Sequence, residues 1–378
     1  MINATRHDAD GYAVRLFEPS DRDDYLALHR RVLDGGSEAW FDWKYVDNPY
    51  TDHVAVVVAT DGTRVVGTKS GMGFEVARGG ERFLALQPGD TMVHPDHRRR
   101  GIYSRMTEYM KSAYATAPQA LFFNYPNYAT LPGSLKHGWR EVGEVTTRYR
   151  VANPAALAGV DAGRFDAALD RLARTVADGL LRLPRLGTRV ADRFLVRRHD
   201  DVPVGTLADL YRSAVPDTLH VVRDETYLDW RYDNPQWEYT AFTVERAGRP
   251  VLGAVVGCGD ADGIRRASLV DVLPMRDRGD SDDGDAPAAG DTDRTAAEVA
   301  LLDRVVSAVD ADVLGVADGA FSPSVLARFG FLPDTAPPLS WVSTPSTLVA
   351  YPLDDALDTP ALSSLDGWTL GLGDRDSR

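Results

Sequence analysis

Residues 91 to 106 read Thr-Met-Val-His-Pro-Asp-His-Arg-Arg-Arg-Gly-Ile-Tyr-Ser-Arg-Met, and their types and order suit the capture of an anion. Thr91, Met92 and Val93 predict the end of a buried strand. His94 to Arg100 predict a tight basic loop, and Gly101, Ile102, Tyr103 and Ser104 the opening of a helix. A helix start presents backbone N–H groups that have no intrahelical partner, at the positive end of the macrodipole. Arg98, Arg99 and Arg100 add charge at the same place, so a ligand carrying a diphosphate matches the loop well.

The flanking sequence supplies the elements that must hold this loop. Tyr12 to Leu16 alternates apolar and polar residues and predicts a strand. Pro19-Ser20-Asp21 signals a helix start, followed by Tyr25, Leu26, Leu28 and Val32 at helical spacing. Val54 to Thr60, Arg64 to Gly71 and Arg82 to Leu86 predict an antiparallel meander, turning at Asp61-Gly62 and Gly79-Gly80. After the loop and its helix come a strand at Ala120 to Asn124, a short helix around Thr130 to His137, and strands from Val142 to Val151.

A length of 378 residues accommodates two domains, and 44% hydrophobic with 9% aromatic residues supports sizeable cores. A formal charge of −14 argues against broad binding to nucleic acid or to a membrane surface, both polyanions. The absence of an export signal and of a long apolar run points to the cytoplasm. Cys258 is the single cysteine, which excludes an internal disulfide and a cysteine-built zinc site, and no metal is expected. The 42 basic residues include only four lysines, at positions 44, 69, 111 and 136. An acidic, lysine-poor surface fits a protein working in high salt, and equally a GC-rich genome.

The chain also repeats itself. Phe41-Asp42-Trp43-Lys44-Tyr45-Val46-Asp47-Asn48-Pro49 recurs as Leu228-Asp229-Trp230-Arg231-Tyr232-Asp233-Asn234-Pro235. Val65-Val66-Gly67 is echoed by Val251-Leu252-Gly253, Val93-His94-Pro95 by Val272-Leu273-Pro274, and His137-Gly138-Trp139 by Phe329-Gly330-Phe331. The shared order predicts a duplication. The expected organisation is a catalytic domain over 1–151, a helical linker over 152–190, a degenerate second domain over 191–350 and a tail over 351–378. The second domain carries an acidic loop over 276–294 in place of the arginines, so it should not hold a diphosphate in the same way.

The first copy resembles the GNAT acyltransferase superfamily, in which a strand ending Val-x-Pro is followed by Arg/Gln-x-x-Gly-x-Gly/Ala at a helix start. Val93-His94-Pro95 and Arg98 to Ile102 fit that pattern, and Asn127, Lys136, Gly138 and Trp139 fit the family's second element. Tyr103, Thr130 and Ser134 depart from it, Ser134 standing where a tyrosine acid often lies. The segment Trp368 to Asp374 looks like the tail of some members near the Fem-like aminoacyltransferases. The resemblance implies a mixed α/β (α+β) fold of two tandem domains, each a mostly antiparallel central sheet flanked by helices. It also implies acyl transfer, acetyl above all, from acyl-CoA to an amine.

Such a reaction needs the carrier held, the amine deprotonated, the oxyanion stabilised and the leaving thiolate protonated. The resemblance assigns the diphosphate to backbone N–H groups from Arg99 to Ser104. It assigns the carrier arm to the strand edge Thr91 to Val93, and the oxyanion to the Val93 N–H. Asp90 reads either as the base, directly or through water, or as a turn residue after Pro88-Gly89. Tyr128 and Ser134 compete as the acid. Asn124 and Asn127 read as orienting groups, Asn127 alternatively as a helix cap. His94 and His97 read as phosphate contacts or as exposed turn residues. The expected acceptor is a small-molecule amine or amino sugar. The alternatives are a Fem-like aminoacyl transferase and a non-catalytic CoA-binding sensor or scaffold.

Overall fold

A computed structural model describes residues 6–7, 11–127, 130–153, 193–261, 263–277, 289–341, 343 and 345–376. Nearly all of the expected linker, from 154 onward, and most of the acidic stretch lie outside the described residues. The first copy runs β1 (Arg6–His7), β2 (Tyr12–Leu16), α1 (Arg22–Leu33), α2 (Glu38–Phe41), β3 (Val56–Asp61), β4 (Arg64–Arg78), β5 (Glu81–Val93), α3 (Ile102–Tyr114), β6 (Gln119–Asn124), α4 (Leu131–Lys136), β7 (Arg140–Val145) and β8 (Thr147–Val151). The second runs β9 (Leu195–His199), α5 (Val204–Ser213), β10 (His220–Val221), α6 (Glu225–Arg231), β11 (Glu238–Arg246), β12 (Arg249–Ala261), β13 (Ile264–Leu273), α7 (Ala289–Ala308), β14 (Val313–Ala317), α8 (Pro323–Arg328), β15 (Leu332–Pro333) and β16 (Ser346–Pro352).

Two sheets result, and neither is built from one contiguous segment. The first has the order β1-β2-β3-β4-β5-β6-β16-β7, with β10 also paired to β4, and the second β15-β8-β14-β13-β12-β11-β9. The copies exchange their last strands. β16 lies between β6 and β7 of the first sheet, while β8 lies between β14 and β15 of the second. A boundary at residue 151 therefore falls at the end of a strand that belongs to the other sheet. Residues 351–376 are likewise no loose tail, since Leu357, Leu362 and Trp368 are buried in the core shared by the two copies.

Burial follows this layering. Ile102, Met106 and Met110 of α3 pack on Val57, Val66 and Phe122 across one face of the first sheet. Leu301, Leu302 and Val305 of α7 with Leu326 of α8 cover the outer face of the second. Between the sheets lies a shared core in which Trp43, Tyr45 and Phe74 meet Leu207, Tyr227, Trp230 and Val255. Each such side chain contributes about 1.5–3 kcal/mol by leaving water, so the seam between copies is as much core as interface. The two tryptophans of the repeated motif meet there, with rings stacked 5.7 Å apart.

The register also corrects the sequence match between copies. Gly67 pairs with Val93, and its counterpart Gly253 pairs with Leu273, so Val93 corresponds in the sheet to Leu273 and not to Val272. Both strands carry a bulge just before this point. In β5 the residues Asp90 and Thr91 together oppose Lys69, between the pairs Ser70–Gly89 and Thr68–Met92. Asp90 adopts a φ of +39°, sparsely populated for a non-glycine residue.

Candidate functional site

The loop after β5 has the geometry of an anion cradle. Pro95–His97 form one 3-10 turn, Arg99 takes a φ of +61° and Gly101 a φ of +74°. Any side chain at Gly101 would be strained in that left-handed conformation. Gly101 is the N-cap of α3 and offers no side-chain cap, so the first turn of a 13-residue helix points its N–H groups outward. Arg98, Arg99 and Arg100 are exposed around it. Arg98 Nε donates to the Val93 carbonyl at 3.1 Å, and Arg100 donates to the Tyr12 hydroxyl at 2.9 Å. Tyr12 in turn lies 2.9 Å from Nδ1 of His97, while Nδ1 of His94 accepts from the Asp96 N–H. Both histidines therefore brace the loop from within.

A gap opens beside this cradle. β6 runs parallel to β5 from Leu84–Gln119 to Leu86–Phe122, and beyond that the two strands part. The His94 N–H donates to the Val66 carbonyl at 2.8 Å, so Gly67 and Val93 form a pair without mutual hydrogen bonds. The N–H and C=O of Val93 consequently face away from β4, toward the gap. Thr91, Met92 and Val93 end β5 beside this gap, Met92 itself being buried in the shared core.

The other candidates separate. Asn124 ends β6, with its side chain accepting the Tyr125 N–H at 2.7 Å. Asn127 accepts the Thr130 N–H at 3.0 Å, which is a turn-capping role. Ser134 is buried in α4 and aims its hydroxyl at the Thr130 carbonyl of its own helix. Tyr128 lies outside the described residues. Tyr103, in the first turn of α3, has its hydroxyl 3.2 Å from the place a Cβ would take at Gly133 of α4.

Asp90 sits in a buried ion cluster on the α1 face. Its carboxylate accepts from Lys44 Nζ at 2.5 Å and from the Tyr45 hydroxyl at 2.6 Å, and His29 Nε2 lies 3.7 Å away. Burial would raise the Asp90 carboxyl, but the Lys44 charge and the hydrogen bonds from Lys44 and Tyr45 outweigh it and hold it far below the carboxylate range. Such an anion has little basicity left. Burial likewise opposes charge on Lys44, yet Asp376 and Asp90 keep the ammonium above its ordinary value. Asp376 comes from the end of the described chain, 2.6 Å from Lys44 Nζ, and its N–H donates to Gln87 Oε1 at 2.7 Å.

Lys44, Tyr45, Asp376 and His29 were not legible as site residues from sequence. The signal was one of only four lysines placed inside an apolar Trp-Lys-Tyr run. His137 is a further addition, joining α4 to α3 through Glu108 at 2.7 Å and Ser104 at 3.2 Å.

The second copy has a matching cluster, while most of the segment in the place of the cradle lies outside the described residues. Arg223 binds Asp271 at 2.9 Å and Asp374, while the Tyr232 hydroxyl donates to Asp271. Arg276, just past β13, is tied to the buried Glu298 at 3.2 Å and to the Ser322 hydroxyl at 2.6 Å. Where β13 and β14 part lies a cavity of about 350 Å³, lined among others by Glu144, Asp271, Asp277 and Asp318 and by Arg148 and Arg276. Among the described residues no cluster of histidine, cysteine or carboxylates is placed to hold a metal, and no helix is long and apolar enough to cross a membrane.

Residues 13–142 match the acetyltransferase (GNAT) domain family. Among solved structures, a probable N-acyltransferase from Enterococcus faecalis V583 shares 11% identity at a TM-score of 0.59, covering 91% of this chain and 72% of that one. A GCN5-related N-acetyltransferase from Kribbella flavida shares 14% at 0.54, over 91% and 72%. Another from Anabaena variabilis ATCC 29413 shares 9% at 0.56, over 91% and 73%. No curated protein matches the sequence. Residues 13–142 are thus similar to a GNAT domain, and the whole chain shares its fold with these solved structures. These matches lend no support to the Fem-like likeness of the C-terminal segment.

Proposed function

We propose that this protein is an N-acyltransferase that moves an acyl group, acetyl in the first instance, from acyl-CoA to an amine. One observation carries the reading: the uncapped start of α3, ringed by Arg98 to Arg100, opens beside a strand edge whose Val93 N–H faces the gap. The N–H groups from Arg99 to Ser104 would take the diphosphate, and the edge from Thr91 to Val93 the carrier arm. The Val93 N–H would meet the oxyanion that forms as the amine attacks the thioester carbon.

For the protons, the buried cluster redistributes the expected roles. Asp90 is too well neutralised to be the base. His29 is the better acceptor: it lies beside Asp90, and neither ring nitrogen has a hydrogen-bond partner among the described residues. The loop after α1 lies directly over the ring, where a Cβ at Gly36 would fall 2.7 Å from Nδ1. Ser134 spends its hydroxyl on its own helix, which leaves Tyr128 as the acid for the departing thiolate. The acceptor is a small amine or amino sugar, and the second copy, whose cavity carries Glu144 and Asp277, shapes the acceptor cleft. A sensor or scaffold that binds CoA without turnover is the competing reading.

Calorimetry with CoA tests the loop. Gly101→Glu should abolish binding while the fold persists, and unchanged affinity would sink the assignment. Thiol release from acetyl-CoA over a panel of amines separates enzyme from sensor.

A further inference from the structure

Lys69 is a buried cation with no counter-ion. It is 6% exposed, and among the described residues no carboxylate or hydrogen-bond acceptor lies within reach of its ammonium. Its ammonium lies over the ring of Tyr103, 5.2 Å from Nζ to the ring centre. The other three lysines differ. Lys44 holds two carboxylates, Lys111 donates to the His137 carbonyl and neighbours Glu108, and Lys136 is exposed. An isolated buried ammonium is costly, and chains that keep one generally use it.

Its position says for what. Side chains alternate along β4, so Lys69 leaves the sheet on the α3 face, whereas its neighbour Ser70 bonds Tyr25 on the α1 face. On the α3 face it stands opposite the bulge at Asp90 and Thr91, beneath a ring from the first turn of the helix that starts the anion cradle. Tyr103 on α3, with His137 at the end of α4 behind it, faces the amine. Asp90 on β5 is committed to Lys44 on the opposite face.

We propose that Lys69 is an acylation site on the protein itself, taking an acyl group from the thioester donor held at the cradle. The proposal rests on the acyl-CoA reading above. The neutral Nζ attacks the thioester carbonyl carbon, the N–C bond forms and the C–S bond breaks. The thiolate leaves with the bonding pair, and the proton shed by nitrogen neutralises it as free thiol. The product is a stable amide, so this is a modification and not a turnover intermediate. Burial alone brings the Lys69 amine down to about 8, which leaves a reactive neutral fraction near neutrality.

The experiment incubates the full chain with acetyl-CoA, without acceptor, and follows intact mass and peptide mapping while thermal shift with CoA reports binding. The expected result is one acetyl adduct on the peptide bearing Lys69, forming faster as pH rises toward about 8 and levelling above it. Lys69→Arg should lose the adduct and keep the CoA-induced thermal shift, and Lys69→Met should do the same. Binding without an adduct, or an adduct on the exposed Lys136 instead, overturns the proposal and leaves the acyl-CoA reading standing. No thermal shift with CoA overturns both.

Discussion

Trp43 and Trp230 exchange hydrogen bonds: the indole N–H of Trp43 donates to the Trp230 carbonyl at 2.7 Å, and that of Trp230 to the Trp43 carbonyl at 2.9 Å. The two residues hold the same place in the repeated motif, so the pair marks the local two-fold relation between the copies. Both rings are buried and stacked, which makes each indole a structural pin between the sheets.

Replacing either indole should therefore be costly out of proportion to one side chain. Trp43→Phe keeps most of the ring but orphans a buried carbonyl, a loss of about 1–3 kcal/mol. Trp43→Ala should cost about 3–5 kcal/mol. Urea unfolding of both single variants and the double variant measures this, and strictly additive losses would contradict a reciprocal pin.

Asp90→Asn should destabilise more than it disarms. It leaves Lys44 buried with one carboxylate fewer, at a cost of about 3–5 kcal/mol. The sign of the pH effect follows from the depressed carboxyl. Its stabilisation is complete above the unfolded value near 4 and drains away as pH falls below that. Acid unfolding of the native chain should thus begin below about pH 4, and the variant should show a flatter curve.

His29→Gln should lower kcat with little change in KM, measured by thiol release from acetyl-CoA. An unchanged kcat would return the base role to water or another group.

His220 offers a second pH signature, unrelated to catalysis. Its ring is buried between the Tyr211 hydroxyl at 2.8 Å and the Thr218 carbonyl at 2.7 Å. Burial lowers its value to about 4 despite the Thr218 bond, with Arg223 and Arg82 opposing protonation and Asp277 favouring it. The fold thus binds fewer protons than the unfolded chain between pH about 6.5 and 4. Stability present above that window is lost as pH falls through it, on the order of 3 kcal/mol in all. Chemical denaturation at stepped pH should show this slope, and His220→Asn should flatten it.

Much of the first copy could be read along the chain because its signals are local. Asp61-Gly62 and Gly79-Gly80 turn the meander as their composition requires, and the cradle from Val93 to Ser104 is consecutive in sequence. What was hidden depends on distance. Nothing in Thr147 to Val151 tells which of two similar sheets will accept it, since an alternating strand pairs equally well with either. Lys44 and Asp376 stand 332 positions apart, and each alone reads as an ordinary charged residue. Asp90 read as a base because its neutralising partners, Lys44 and Tyr45, arrive from the motif after α2.

The exchange of β8 and β16 sets an order of events during synthesis. When residue 153 leaves the ribosome, the first sheet still lacks the strand that must separate β6 from β7. That slot stays open until residues 346–352 emerge, and the Lys44 ammonium waits longer still for Asp376. The cradle-bearing half is thus made first and finished last. A nascent chain stalled between the copies would carry two unpaired strand edges, the surfaces most prone to stray pairing.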